Sequence, residues 1–264
     1  SHERLTNPGV GELLEEIESV GDVGEVQSAN IRLVREAYDR ATKLPTDFVE
    51  EMAIHRSRSI VSWTEAREKD DFSIFRGDLA ISIEQARAKA DFFGYENLRY
   101  DALLDLYETG LTVERLDPLF SGLRENVSPL IKAVVGRGLR PDLSWVIDNN
   151  WSQKSQEELS QSVAEAIGFD FSAGRRDLST HPFCGGPNPD DVRWTTRYNE
   201  DEPFGSLFGS MHETGHGTYE QGRPRHLDFQ PAGKANGLGI HESQSRLWEN
   251  QVGRSKEFCE WSLS

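Results

Sequence analysis

Apolar residues recur along this chain at the i, i+3, i+4, i+7 spacing of one helix face, in one segment after another. Asn7-Pro8 puts a capping residue ahead of a proline at the first helical position, and Leu13, Leu14, Ile17 and Val20 follow at helical spacing. Ile31, Val34, Ala37, Tyr38 and Ala41 mark a second helix that ends near Pro45. A third runs from about Asp47 to Glu68, with Phe48, Met52, Ile60 and Trp63 on its buried face and His55 as a structural or surface residue. Further amphipathic segments cover about Phe75 to Phe93, Leu111 to Leu119, Leu123 to Val135 and Glu157 to Ile167.

The pattern changes near residue 169. From Phe169 to Tyr198, glycine, proline and aspartate punctuate short β-prone runs, notably Val192-Arg193-Trp194-Thr195-Thr196-Arg197-Tyr198. Residues 169–200 are therefore predicted to hold a small antiparallel sheet, and residues 204–252 to return to helix. The expected fold is mainly α, a single mostly helical unit over 1–264. An exposed strand there could pair with an extended peptide; the pattern equally allows a capping sheet with no substrate contact.

Composition narrows the class. A chain of 264 residues with 36% hydrophobic content and mean hydropathy −0.61 reads as soluble and polar-surfaced, long enough to bury a substantial core. No stretch approaches the roughly 20 consecutive apolar residues of a membrane-spanning helix, and Ser1-His2-Glu3-Arg4 has no basic-then-apolar signal pattern. The missing initiator Met makes the start read as an engineered or a processing boundary. A net charge of −16 argues against a nucleic-acid or anionic-membrane partner, which clustered Lys and Arg would bind. The acidic excess, as in Glu12 to Glu18 and Glu65 to Asp71, reads as solvated helix faces. Cys184 and Cys259 match no zinc or redox spacing and read as free thiols in a reducing cytoplasm.

The candidate chemistry lies in His212-Glu213-Thr214-Gly215-His216 and Gly239-Ile240-His241-Glu242-Ser243-Gln244. Two imidazoles four residues apart on a helix share one face and can hold one metal ion. Apolar residues in Ser206 to Met211 lead into the first segment, and Tyr219-Glu220-Gln221-Gly222 ends it at a glycine suited to a helix C-terminus. The plainer alternative is two surface histidines on an acidic helix. A catalytic zinc takes three protein ligands and keeps a fourth position for water. Glu242 is the best third ligand, on a second helix. Glu213 is then placed as the general base for that water, and later as proton donor to the leaving amine.

Four motifs in order, His181-Pro182-Phe183, Asp191-Val192-Arg193-Trp194-Thr195, His212 to His216 and His241-Glu242-Ser243-Gln244, resemble the thermostable carboxypeptidase family, the Taq-type zinc metallocarboxypeptidases. Flanking segments are similar too, including Tyr100 to Asp105, Leu119-Phe120, Gly168-Phe169-Asp170 and Ser245 to Asn250. The resemblance covers essentially the whole chain. It implies a helical gluzincin-like peptidase with a deep groove that removes single residues from the free C-termini of peptides with broad specificity, uses zinc or cobalt and forms homodimers. It assigns His212, His216 and Glu242 as metal ligands and Glu213 as base. It puts Asp191, Arg193 and Thr195 on a groove-edge strand, His181 near the site in a structural role, and His241 and Gln244 around the ligands.

Two further family motifs, an Ile/Val-Arg-x-x-Ala-Asp segment and a Gly-x-x-Gln-Asp-x-His-Trp segment, do not occur. The opening residues also resemble a point well inside the family's N-terminal region, so the chain reads as a fragment or a naturally shortened member, short at both ends and lacking the family's C-terminal part, with apolar groove walls exposed and free to self-associate. The Arg of the first missing motif is the family's natural partner for a substrate carboxylate. An alternative follows: a metal-binding relative without catalytic competence, acting as a scaffold or partner. An endopeptidase or aminopeptidase with the same zinc signature is a third reading, although no Gly-x-Met-x-Asn exopeptidase signature accompanies it.

Overall fold

Asn7 accepts a hydrogen bond from the Gly9 amide at 2.9 Å, so the second helix begins at Pro8, where the capping pattern puts it. The computed structural model describes residues 2–262 except 22, 139, 141 and 148; the termini Ser1 and Ser264 lie outside the described residues. Internal contacts cluster into two units, Ser1–Gly122 and Leu123–Ser264.

The first unit is helical: α1 (His2–Leu5), α2 (Pro8–Ser19), α3 (Glu25–Thr42), α4 (Thr46–Lys69), α5 (Ser73–Phe93), α6 (Asp101–Leu104) and the start of α7 (Val113–Gly136). Helices α4 and α5 pair along a polar seam. The Nε2 of His55 sits 3.0 Å from both the Asp78 carbonyl and the Ser82 hydroxyl, and Ser62 donates to Asp78 at 2.6 Å. Arg58 adds an ion pair to the same aspartate at 3.0 Å. Phe48 and Met52 are half-buried, but Ile60 and Trp63 are 55% and 44% exposed and do not form the buried face. At 100° per residue they lie to one side of the stripe that runs through Phe48, Met52, His55, Ser62 and Ala66.

The segments read separately as Leu111 to Leu119 and Leu123 to Val135 join in one continuous helix, which starts at Val113. Leu116, Phe120, Leu123, Val127, Leu130 and Val134 keep helical phase across Gly122, and an interior glycine costs only about 1 kcal/mol.

The second unit holds α8 (Ser144–Ile147), α9 (Gln153–Ile167), strands β1 (Gly174–Leu178), β2 (Cys184–Asn188) and β3 (Asp191–Thr196), then α10 (Pro203–Gln221), α11 (Leu238–Arg246), a π-helical turn over Leu247–Val252, and α12 (Lys256–Ser262). The sheet is mixed, not antiparallel. Its order is β1-β3-β2, with β3 antiparallel to β2 and parallel to β1. Two reversals of the chain return β3 to the direction of β1, and β3 enters the slot that the wide 179–183 connection leaves between its neighbours. Because β3 is central, Asp191, Arg193 and Thr195 lie on no sheet edge; the free edges are β1 and β2. The Cys-Gly-Gly-Pro-Asn of β2 carries no strand signature, since glycine and proline are poor ladder residues.

Ala164, Phe169, Val192 and Trp194 form the buried core between α9, the sheet and α10. Polar side chains pin α10 at several points. Ser210 on α10 bonds Ser160 and Thr196 at 3.2 Å each, and Gln221 exchanges two bonds with the Asp170 backbone at 2.9 and 2.8 Å. A helix held this way presents fixed side-chain directions, as a site needs. Among the described residues, no helix is long and apolar enough to cross a membrane.

Candidate metal centre

His212 and His216 stand one turn apart on α10, and α11 brings Glu242 up to them. Glu242 Oε2 lies 3.4 Å from His216 Nε2 and 3.9 Å from His212 Nε2. All three donor atoms fall within 4.8 Å of one another. Bonds of about 2.0–2.2 Å to a tetrahedral ion set ligand atoms roughly 3.4 Å apart, so two imidazoles and a carboxylate fit one divalent cation here. The close approach depends on Gly215. A Cβ there would sit 2.6 Å from the Gln244 carbonyl oxygen and 2.7 Å from Ser245 Cα on α11.

Both imidazoles have their other nitrogen engaged. His212 Nδ1 is 2.8 Å from Glu249 Oε2. That carboxylate also accepts from Arg246 at 3.1 Å and from Arg254 at 3.4 Å. Only a proton on Nδ1 lets His212 bond an acceptor so placed, which leaves its Nε2 lone pair for a metal. His216 Nδ1 is 2.6 Å from His241 Nδ1, and His241 Nε2 is 2.8 Å from Glu220 Oε1. Burial pulls the His216 pKa down to about 4, with His241 and His212 adding to the effect, so the ring is neutral at physiological pH.

Glu213 is buried, and its Oε2 has no hydrogen-bond partner among the described residues. Burial raises its pKa to about 7; His212 opposes this, while Glu242 and Glu249 add to it. A buried carboxylate oxygen without a partner beside three convergent donors suits a reacting water or a cation as its missing partner.

These groups share a cleft of about 920 Å³ with His181, Phe183, Cys184, Arg197 and Phe208. Burial pushes the Cys184 thiol well up, with Glu213 and Glu220 contributing, so it stays neutral. His181 lines the cleft, and its carbonyl accepts from Ser179 at 2.7 Å. Thr195 is buried, bonds the Ser179 hydroxyl at 2.6 Å and accepts from the Phe183 amide at 3.1 Å; it clamps the loop that carries His181. Asp191 and Arg193 bond each other at 2.8 and 2.9 Å on the surface, away from the cleft lining. Gln244 donates its amide to neighbouring Ser243 at 3.2 Å, and its backbone carbonyl lies against Gly215.

Sequence reasoning missed Glu220, Glu249 and the arginines around them. Spacing could have found two of them: Glu220 is one turn past His216 on the same helix, and Glu249 is two turns past Glu242. Among the arginines of the cleft, Arg246 bonds Glu242 and Glu249, and Arg254 pairs with Glu249 and stacks 4.6 Å over Phe208. Arg197 instead reaches only the Thr180 carbonyl, at 3.4 Å, with no carboxylate in ion-pair range among the described residues.

Residues 1–264 match the model of a family described as carboxypeptidase Taq (M32) metallopeptidase. The chain is 40% identical over 272 residues to thermostable carboxypeptidase 1 of Thermus thermophilus, covering 98% of this chain and 53% of that protein. It is 39% identical over 241 residues to carboxypeptidase 1 of Bacillus subtilis, covering 91% and 48%. A solved Pyrococcus furiosus carboxypeptidase structure superposes with a TM-score of 0.91 at 34% identity, over 99% of this chain and 53% of that one. The chain thus spans about half the length of the curated relatives it matches.

Proposed function

The chain belongs to the carboxypeptidase Taq (M32) metallopeptidase family, a family of metal-dependent peptidases, and from that premise we propose that it is a zinc carboxypeptidase. On this reading it hydrolyses the C-terminal bond of peptides with broad side-chain tolerance. The observation that carries the reading is the convergence of His212, His216 and Glu242 beside a buried Glu213 with a partnerless oxygen.

His212, His216 and Glu242 would hold zinc, or cobalt in its place, whose charge would polarise the scissile carbonyl and acidify the attacking water. Glu213 takes the proton of that water and passes it to the departing amine, and a proton affinity near neutrality suits both transfers. Glu249 and His241 hold the two imidazoles in orientation. Phe183, Phe204, Phe208 and Leu238 give the cleft apolar walls, in keeping with broad tolerance. Arg197, the cleft arginine without a carboxylate, is assigned to the substrate's terminal carboxylate, which its forked donors match.

The test is a blocked dipeptide with a free C-terminus, given to the metal-loaded chain beside its C-terminal amide. The acid is cleaved, the amide is not, and a chelator stops turnover. Arg197→Gln raises KM for the acid about 10- to 100-fold, as expected for a lost hydrogen bond to a charged group, and leaves kcat nearly unchanged. Equal cleavage of the amide would mean an endopeptidase. One bound zinc with no residue released would favour the metal-binding scaffold. The same reading takes the protein as a cytoplasmic homodimer, a setting that suits free Cys184 and Cys259; sedimentation of the purified chain tests the assembly.

A further inference from the structure

We propose that the recess over Gly209, walled by Phe204 and Phe208 and rimmed by Arg254, takes the side chain of the residue to be released and selects large apolar C-terminal residues over basic ones; this rests on the carboxypeptidase reading above and limits its breadth.

Helix α10 turns one stripe to the cleft, in which Phe204, Gly205, Phe208, Gly209, His212 and His216 follow at the spacing of successive turns. The second half of the stripe holds the two candidate ligands. In the first half, a Cβ added at Gly209 would have nothing within 4 Å. Three residues before His212 on the same face, the glycine leaves open the space that a side chain would fill.

The walls of that space are held in place. Phe204 and Phe208 stack with centroids 6.1 Å apart and planes 18° from parallel. Trp145 meets Phe204 edge-on at 6.1 Å, and the Arg254 guanidinium lies 4.6 Å from the centre of the Phe208 ring. Arg197 sits on the segment that leads from β3 into α10. A terminal carboxylate held there, with the scissile carbonyl at the metal position, sets the released residue against the first half of the stripe.

Charge sets the preference. Glu242 and Glu249 are tied to the histidines and to Arg246, and Glu202 turns both oxygens to the Gly205 amide at 3.0 Å. Glu213 stands at the metal position as the base. The carboxylates described in the cleft lining are thus committed, while Arg254, 53% exposed, puts a positive charge at the rim. A Lys or Arg side chain would meet that cation and find no free acid. An aromatic or large aliphatic side chain covers Phe208 and withdraws its own apolar surface from water.

Blocked dipeptides ending in Phe, Ala and Lys test this, by titration calorimetry on the full chain without added metal and by kcat/KM on the zinc-loaded chain. The Phe peptide is bound and cleaved better than the Lys peptide by about 10- to 100-fold, the scale of burying one large apolar side chain. Gly209→Leu fills the recess and brings the Phe-to-Ala ratio close to one. Arg254→Gln raises the Lys peptide relative to the Ala peptide by about 2- to 5-fold, the scale of an exposed charge interaction. Equal binding and cleavage of the Phe and Lys peptides overturns the inference, as does either variant with its ratio unmoved. Cleavage of all three peptides alike removes the recess and leaves the carboxypeptidase reading standing. Preferential binding of the Phe peptide, abolished by Gly209→Leu, in a zinc-loaded chain that releases no residue supports the recess and sinks that reading instead.

Discussion

Glu213→Gln lowers turnover by about 10²–10⁴-fold while one zinc stays bound. The amide keeps the size of the side chain but cannot take a proton from water. Metal retention is expected because the side chain is not among the three convergent donors. The fold should hold as well: among the described residues Glu213 forms no ion pair, and one carboxylate oxygen is buried without a partner, so a neutral group of the same shape gives up little. Steady-state kinetics on the blocked dipeptide, with zinc content and thermal melting on the same sample, read all three. A variant that kept full metal-dependent activity would remove Glu213 from the chemistry.

Gly215→Ala is the second large effect, and it works through distance. The new methyl group would stand 2.6 Å from the Gln244 carbonyl oxygen and 2.7 Å from Ser245 Cα, and both atoms are backbone that cannot swing aside. Helix α11 must move away from α10. Overpacking of this kind costs about 1–3 kcal/mol. The same movement carries Glu242 away from the histidines, and a misplacement near 1 Å lowers activity on the order of 10²-fold. Gly209→Ala on the same helix is the contrast. Nothing lies within 4 Å of its added Cβ, and it should gain about 0.4–1 kcal/mol by restricting the unfolded chain. Denaturant melts of both variants, with zinc titration of Gly215→Ala, decide the matter; a Gly215→Ala chain with wild-type stability and zinc affinity would show that the helices are not in essential contact there.

Much of this could be read from local spacing. The Asn7-Pro8 start, the length of α5 and the single-face placement of His212 and His216 follow from helical periodicity and capping, which act within a turn or two of chain. Glu242 was nameable as the best third donor because it follows His216 at a distance that lets a second helix return, and the last of the four ordered motifs contains it. What failed was non-local. Ile60 and Trp63 look like core on a helical wheel, but the partner of α4 meets it at His55 and Ser62. The strand run at 191–196 is visible in its β-branched and aromatic residues, while nothing in those residues says that β3 sits between β1 and β2.

The site divides along the same line. By itself the sequence determined which residue types stand one helical turn apart, because that geometry is built into the backbone, and it carried the motifs that place the chain in its family. Only the tertiary structure decided the partners that make those residues useful: Glu249 behind His212, His241 and Glu220 behind His216, and a glycine thin enough for α11 to bring Glu242 within 3.4 Å. Those pairings cross from one helix to another or run through a second side chain, and they depend on how helices pack, which no local spacing rule encodes.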